Sequence, residues 1–109
     1  MALLTAQQIA KTGLAPAYSA VNASDTVTPQ ANLFLHVKNA NASPCTVTLV
    51  DASKTPAGSA ATNPTVSVPA TTGDRMIGPL PEVMADVSTG LITVQYSVTA
   101  SVTAALLRL

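Results

Sequence analysis

The side chains that could carry out chemistry are few in this chain of 109 residues. His36 is its one histidine and Cys45 its one cysteine, and a thiol beside an imidazole can form a nucleophile with its base. A hairpin of the two strands that contain them would bring the pair together. No motif supplies a third group to orient the imidazole, and no second histidine or cysteine stands at zinc-ligand spacing. We therefore expect His36 to face solvent or a neighbouring side chain, and Cys45 to be a partly buried apolar residue.

The acidic residues do not form a recognisable catalytic pair. They are spread along loop-forming stretches, at Asp25, Asp51, Asp74, Glu82 and Asp86. A glycosidase needs two carboxylates that converge, and the sequence has no glycine-rich phosphate loop, GxSxG motif or calcium loop. Aromatic residues make up 3% of the chain, so we expect no stacking platform for sugars or bases. We expect a protein that is not an enzyme and that uses no metal or cofactor.

The charge balance argues against two classes of partner. Five Lys and Arg residues offset five Asp and Glu residues, so the formal net charge is zero. The sequence predicts neither the basic face of a nucleic-acid-binding protein nor the basic amphipathic helix of a membrane-surface protein. No apolar run reaches the ~18 residues of a membrane span, and the start MALLTAQQ lacks the regions of a signal peptide. We expect synthesis in the cytoplasm and a surface that tolerates copies of itself.

The stretch GDRMIGPLP, residues 73–81, has two interpretations. Gly73 and Asp74 are typical of a turn, and Asp74 with Arg75 would then be solvated charges at the end of a strand. Alternatively the stretch is an interface, because Arg and Met are enriched at protein contacts and prolines protect a sheet edge from uncontrolled pairing. Neither interpretation makes it an active site, since it contains no candidate base or nucleophile.

The N-terminal stretch LTAQQIAKTGL predicts a short helix. Thr5 can cap it, and Gln8 three residues later completes a capping-box pattern. Gly13 stands where a left-handed C-cap residue is wanted, with Leu14 placed to fold back on Ile9. A helix of about two turns is marginal alone, so we expect it to dock on another element.

Four later stretches predict strands: LFLHVKN, CTVTLVD, TVSVPA and RMIGPL. The first two alternate apolar and polar residues. The first two are separated by turn-forming residues, which favours a hairpin. The fourth is broken by Gly78 and Pro79, which places it at a sheet edge or a bulge. The polar stretch of residues 52–64 is predicted as an exposed loop.

The C-terminal segment carries the clearest periodicity. Every even position from Ile92 to Leu106 is apolar, and the odd positions are mostly Thr, Ser and Gln. A single strand of this length would span about 50 Å, more than a small domain can pair. The segment must either bend between two sheets or project and pair with another chain.

These elements predict one domain over residues 1–109. We expect an all-β fold, an antiparallel β-sandwich or small barrel of jelly-roll or immunoglobulin-like type, with a short N-terminal α-helix. Residues 1–14 would form the docking helix, residues 15–32 a loop with one short strand near Asp25–Thr28, and residues 33–109 the sandwich with its long C-terminal strand.

Several stretches resemble small proteins encoded among the virion structural genes of tailed phages that infect actinobacteria: MALLTAQQIAKTGLAPAYSAV, FLHVKN, TVTL, GDRMIGP and GLITVQYSVTASVTAALLRL. The resemblance spans nearly the whole chain. It implies a capsid decoration or minor head protein on the virion, with the major capsid protein and copies of the chain itself as partners. It brings no catalytic residues.

The residues expected to make these contacts lie in the helix, the fourth strand and the end of the chain: Ile9, Leu14, Arg75, Met76, Ile77, Leu80, Val102, Leu106 and Leu107. Three alternatives stay open. A head–tail connector or tail-tube component would also use sheets and strand exchange. A small-ligand or carbohydrate-binding β-sandwich module is the second alternative, and a small hydrolase that uses Cys45 is the third.

Overall fold

The computed structural model describes residues 3–53, 56–59 and 62–109. These residues form ten strands and one short 3-10 turn, Glu82–Met84. The strands are β1 (Leu3–Leu4), β2 (Gln7–Gln8), β3 (Ser19–Ala20), β4 (Ser24–Val27), β5 (Leu33–Asn39), β6 (Cys45–Val50), β7 (Thr65–Val68), β8 (Gly73–Ile77), β9 (Ile92–Tyr96) and β10 (Val102–Arg108). The prediction of an all-β chain is confirmed.

The strands form two mixed sheets in a sandwich-like arrangement. Sheet 1 has the order β1-β4-β9-β6-β7, and sheet 2 has the order β2-β10-β5-β8, with β3 also paired to β10. Most neighbours are antiparallel, but β1 pairs with β4, and β2 with β10, in parallel. The predicted antiparallel sandwich therefore carries two short parallel pairs, both made by the N-terminal residues.

The core lies between the inner faces of the two sheets. Alternate residues of each long strand point inward, so that Leu35 of β5 and Leu106 of β10, which are directly paired, are both buried. Val47 of β6 and Val94 of β9 are buried in the same cluster from sheet 1. This alternation is the physical reason why the period of two in the sequence predicted these strands correctly.

The predicted N-terminal helix is wrong. Leu3–Leu4 pairs with β4 of sheet 1, and Gln7–Gln8 pairs with β10 of sheet 2. The helix would have been too short to be stable alone, whereas the two sheet edges satisfy the same backbone groups with sheet hydrogen bonds. The side chain of Gln7 also bonds both backbone groups of Ala17 at 2.9 Å, which closes the following loop. Gly13 does adopt a positive φ of 97°, but in that loop.

The predicted hairpin of β5 and β6 is also wrong, because the two strands lie in different sheets. Residues 40–44 cross from one sheet to the other, and the buried side chain of Asn39 fixes the crossing. Its amide donates to the carbonyl oxygens of Ser43 at 3.0 Å and Val68 at 3.3 Å, and its oxygen accepts from the backbone N–H of Asn41 at 2.9 Å. Pairing partners were thus decided by long-range contacts rather than by the intervening turn.

The long C-terminal segment bends between the two sheets, which was the first of its two expected fates. Residues 92–96 form β9 in sheet 1, and residues 102–108 form β10 in sheet 2. The bend includes Ser101 at a φ of 58°, and Val98 packs against the core within it. The single long strand is therefore replaced by two, and the segment does not project from the chain.

The two sides of the sandwich differ. On the closed side, the N-terminal segment of residues 3–20 lines the outer edges of β4 and β10. On the open side, β7 ends sheet 1 and β8 ends sheet 2, and neither has a further partner among the described residues. The described part of the predicted loop 52–64 contains no strand, and residues 54, 55, 60 and 61 of that loop lie outside the described residues, as do residues 1 and 2 of the predicted helix.

Candidate functional site

His36 lies on the outer face of sheet 2, in the middle of β5. It is directly paired with Met76 of β8 and Ala105 of β10, and the ring of Tyr18, from the closed side, packs edge-on against it with 5.4 Å between the ring centroids. His36 is therefore only 8% exposed although it points away from the core. The prediction of a strand histidine that faces a neighbour is confirmed.

Tyr18, His36 and Asp74 form a chain of hydrogen bonds. His36 contacts the Asp74 carboxylate through Nε2, and its Nδ1 lies 2.6 Å from the Tyr18 hydroxyl oxygen. An ionised carboxylate can only accept a hydrogen bond, so Nε2 of the neutral imidazole carries the proton. Nδ1 is then the acceptor for the Tyr18 hydroxyl. The order of hydroxyl, imidazole and carboxylate is that of a nucleophile, a base and a group that orients the base.

Lys38 completes this group, which we call the polar cluster (Tyr18, His36, Lys38 and Asp74). Lys38 and Asp74 are directly opposite each other on β5 and β8, yet the ammonium nitrogen of Lys38 lies over the Tyr18 ring, 4.3 Å from its centroid. A cation above the face of an aromatic ring is attracted by its π electrons. The cluster therefore joins the N-terminal segment to two strands of sheet 2.

A polar groove of about 540 Å³ borders the cluster at one end of sheet 2. Lys38 and Asp74 line it together with hydroxyl-bearing residues that include Thr71 and Ser101. Both of these adopt left-handed backbone conformations, with φ of 70° and 58°, which side chains other than glycine rarely take. Strained backbone of this kind concentrates at functional sites.

Close packing against Pro69 explains why the GDRMIGPLP stretch begins with a glycine. A Cβ atom at this position would lie 1.8 Å from the carbonyl oxygen of Pro69, so only glycine fits where the chain turns from β7 into β8. The turn brings Asp74 onto the outer face of sheet 2 opposite Lys38. The predicted turn at Gly73 and Asp74 is therefore wrong: the turn lies at residues 70–72, and GDRMIGPLP begins directly as the edge strand β8. The stretch also supplies one member of the polar cluster.

An apolar groove of about 480 Å³ lies on the open side, between the edges of β7 and β8. Ile77 and Met84 are buried in its floor. Met76 and Val83, which also line it, are 68% and 69% exposed. The other lining residues are Leu49, Asp51, Pro64, Val66, Gly78, Pro79 and Pro81. Large apolar side chains at unpaired sheet edges are the feature by which proteins recognise other chains.

The structure separates the predicted contact residues into two groups. Arg75, Met76 and Ile9 are exposed, and Leu14 is half-buried. The other five are buried: Ile77, Leu80, Val102, Leu106 and Leu107. The interface role expected for these five is therefore corrected. Ile77, Leu80, Val102 and Leu106 belong to the core cluster, and Leu107, which pairs with Phe34 of β5, is buried outside that cluster.

The pairing of Cys45 with His36 that a β5–β6 hairpin would have allowed does not form. Cys45 belongs to β6 of sheet 1 and is fully buried, with its Sγ atom 3.3 Å from the carbonyl oxygen of Val98. His36 belongs to sheet 2 and faces outward. The two strands were expected to form a hairpin, and their placement in different sheets leaves the Cys45 thiol without the His36 base that the small-hydrolase alternative needed.

Tyr18 and its role were missed by sequence reasoning. Tyr18 lies in a stretch of small residues without periodicity, and Asp74 was assigned to a turn. The one available signal was the shared face of His36 and Lys38, which the alternation of LFLHVKN predicts. Nothing local indicated that residue 18 and residue 74 would both reach that face.

The second tyrosine, Tyr96, is in the opposite environment. Its hydroxyl is buried and has no hydrogen-bond partner among the described residues. Burial raises the pKa of Tyr96, and the nearby Asp25 and Cys45 raise that pKa further. Tyr96 is therefore a protonated, inaccessible phenol, whereas Tyr18 is half-exposed and bonded to an imidazole.

No known protein family, curated protein or solved structure matches this chain. Within residues 3–53, 56–59 and 62–109, no three His, Cys, Asp or Glu side chains converge as a metal site would require. The same residues include no helix with the length and apolar character needed to cross a membrane.

Proposed function

We propose that this protein is a structural virion protein, a decoration protein that binds the outside of a phage head in many copies. The observation that carries the proposal is the apolar groove on the open side, where Met76 and Val83 are exposed between two sheet edges. Exposed apolar surface of this kind marks a protein contact. The resemblance of the sequence to virion proteins of tailed phages supports the same class.

The chemistry of the groove fits an apolar, extended segment of a shell protein. Met, Val and Pro side chains dominate the lining, and Asp51 is its one charged residue. The outer edges of β7 and β8 can add a strand from a partner, which supplies backbone hydrogen bonds without charged contacts. An apolar, extended segment of the major capsid protein is the partner that we propose for this surface.

Many weak contacts are sufficient for such a protein. Its formal net charge is zero, so copies that are packed side by side do not repel one another strongly. On a shell, a contact of modest strength is repeated at every equivalent position, and contacts that are made together reinforce each other.

Density-gradient sedimentation of a lysate of the infected host tests the proposal, with the protein quantified by mass spectrometry. A decoration protein should travel with DNA-filled particles in a copy number comparable to that of the shell protein. A low copy number, which corresponds to one ring of subunits per particle, would support a head–tail connector or tail-tube component instead. Protein that remains free at the top of the gradient would overturn the virion assignment.

The polar groove favours a second candidate function, a small-ligand or carbohydrate-binding module. Its hydroxyl-rich lining, with Lys38 and Asp74, offers both donors and acceptors to a polar ligand. Binding of the protein to a glycan array, lost in a Lys38→Ala variant and retained in a Val83→Asp variant, would support this candidate over decoration.

A further inference from the structure

Tyr18 is the one side chain among the described residues whose hydroxyl is bonded to a histidine that is itself held by a carboxylate. The hydroxyl oxygen lies 2.6 Å from His36 Nδ1, within the reach that general-base catalysis requires. The contact of Asp74 with Nε2 keeps the proton on that nitrogen and directs the lone pair of Nδ1 at Tyr18.

Lys38 adds a second element to this arrangement. Its ammonium group, 4.3 Å from the centroid of the Tyr18 ring, faces the π system into which the negative charge of a phenolate spreads. A fixed positive charge near developing negative charge lowers the free energy of the transition state. The Tyr18 hydroxyl therefore has a base to take its proton, and the ring has a cation above it that stabilises the negative charge spreading into the ring.

The surroundings also leave room for a reaction partner. Tyr18 is half-buried, so part of the residue reaches solvent, although neither Tyr18 nor His36 lines the polar groove. The polar groove of about 540 Å³ begins at Lys38 and Asp74, which are two members of the same cluster. A small molecule in this groove would therefore lie beside the cluster.

We propose that Tyr18 is a nucleophile that accepts acyl groups from small activated esters, with His36 as its general base and Asp74 as a positioning residue. The phenolic oxygen of Tyr18 attacks the carbonyl carbon of the ester and forms a new C–O bond, while the hydroxyl proton passes to His36 Nδ1. The bond between the carbonyl carbon and the leaving oxygen then breaks. The leaving group takes the proton from His36, and the product is an ester of Tyr18. This activity is independent of the docking surface on the open side.

The test uses the full-length protein with p-nitrophenyl acetate, and the acetylated residues are identified by peptide mass mapping. Acetylation should occur at Tyr18 and not at the buried Tyr96, and it should be absent in Tyr18→Phe. A general base contributes about 10²–10⁴-fold, so His36→Gln should slow the acetylation of Tyr18 by about 100-fold or more. The exposed Val87→Asp variant is the matched control and should react as the parent does.

Two readouts separate a chemical role from a structural one. The parent reaction should be slower in D₂O, because a proton moves in the transition state, and His36→Gln should lose this isotope effect. Asp74→Asn should slow acetylation while Asp74→Glu restores part of the rate, because the longer carboxylate can still hold the imidazole. Far-ultraviolet circular dichroism confirms that each variant is folded. If His36→Gln fails to fold, two other results test the role of His36: the isotope effect of the parent and the partial recovery of the rate in Asp74→Glu.

The proposal is overturned if the parent protein is acetylated only on amino groups, or if Tyr18 reacts equally fast in the parent and in folded His36→Gln. Absence of the isotope effect in the parent would also overturn it. None of these outcomes bears on the capsid-binding proposal, because Met76 and Val83 play no part in the reaction.

Discussion

On the closed side of the sandwich, a segment without regular periodicity covers both sheet edges, and on the open side two regular strands leave their edges bare. The closed side is held by short parallel pairs, by the two bonds of Gln7 to Ala17 and by Tyr18 on His36. The open side presents Met76 and Val83 to solvent. An unprotected edge is a hazard for aggregation unless a partner covers it. The N-terminal segment thus completes both sheets on one side, whereas β7 and β8 keep an unpaired edge among the described residues on the other.

The largest effect on stability is expected at Gly73, where the backbone leaves no room for a side chain. Gly73→Ala would place a Cβ atom against the backbone oxygen of Pro69, so the turn between β7 and β8 must shift. We expect a loss of about 3 kcal/mol in the free energy of unfolding, at the upper end of overpacking effects. Urea unfolding measures it, with the exposed neighbour substitution Thr72→Ala as control. Equal stability of the two variants would show that this turn does not define the open side.

The two tyrosines provide the next test, because their hydroxyl groups differ in what they bond. Tyr18→Phe removes the bond to His36 on the closed side and should reduce the free energy of unfolding by about 1 kcal/mol. Tyr96→Phe removes a buried hydroxyl that has no partner among the described residues, so it should be neutral or stabilising. Urea unfolding of both variants checks this, and a larger loss for Tyr96→Phe would contradict the assignment of the two environments.

On the open side, a change that abolishes docking should leave the fold intact. Val83→Asp replaces an exposed side chain of the apolar groove and should change the free energy of unfolding by less than about 0.5 kcal/mol. Val87→Asp, at a position that is 99% exposed and outside the groove, is the matched control. A loss of stability confined to Val83→Asp would mean that Val83 supports the fold rather than an interface.

The smallest effect concerns Asp86, in the connection that follows the 3-10 turn. Hydrogen bonds from the Ser88 side chain and backbone lower the pKa of Asp86. A carboxylate whose pKa is lowered by folding stabilises the folded state at pH values above its ordinary pKa of about 3.9. This stabilisation is lost as the pH falls through the lower pKa of the folded state. Parent and Ser88→Ala should differ slightly in stability at neutral pH and converge under acid conditions. A difference that persists in acid would contradict this origin.

The sequence predicted the elements whose pattern is local. The alternation in β5 to β7 was readable because each inward side chain enters the same core, as with Leu35 and Val47. The N-terminal helix was wrong because the capping signals of Thr5 and Gln8 describe only local bonds. The edges of β4 and β10 provided stronger partners for that segment. These strands are distant in sequence, so a local pattern cannot reveal the pairing.

The candidate sites were predicted only in part. Arg75 and Met76 were placed correctly on the surface, because an edge strand interrupted by Gly78 and Pro79 is visible in the sequence. The polar cluster was not predicted, since residues 18, 36 and 74 come together only through the pairing of β3, β10, β5 and β8. The buried end of the chain was assigned to an interface because its length, rather than its bend, was the visible feature.

Co-sedimentation of the purified protein with phage particles that lack it measures whether the open side docks on a phage head. The parent and the Val87→Asp control should bind such particles with equal affinity, whereas Val83→Asp should bind about tenfold or more weakly, the loss expected for a buried contact residue. Equal binding of all three proteins, or binding by none of them, would contradict the claim that the open side docks on a phage head.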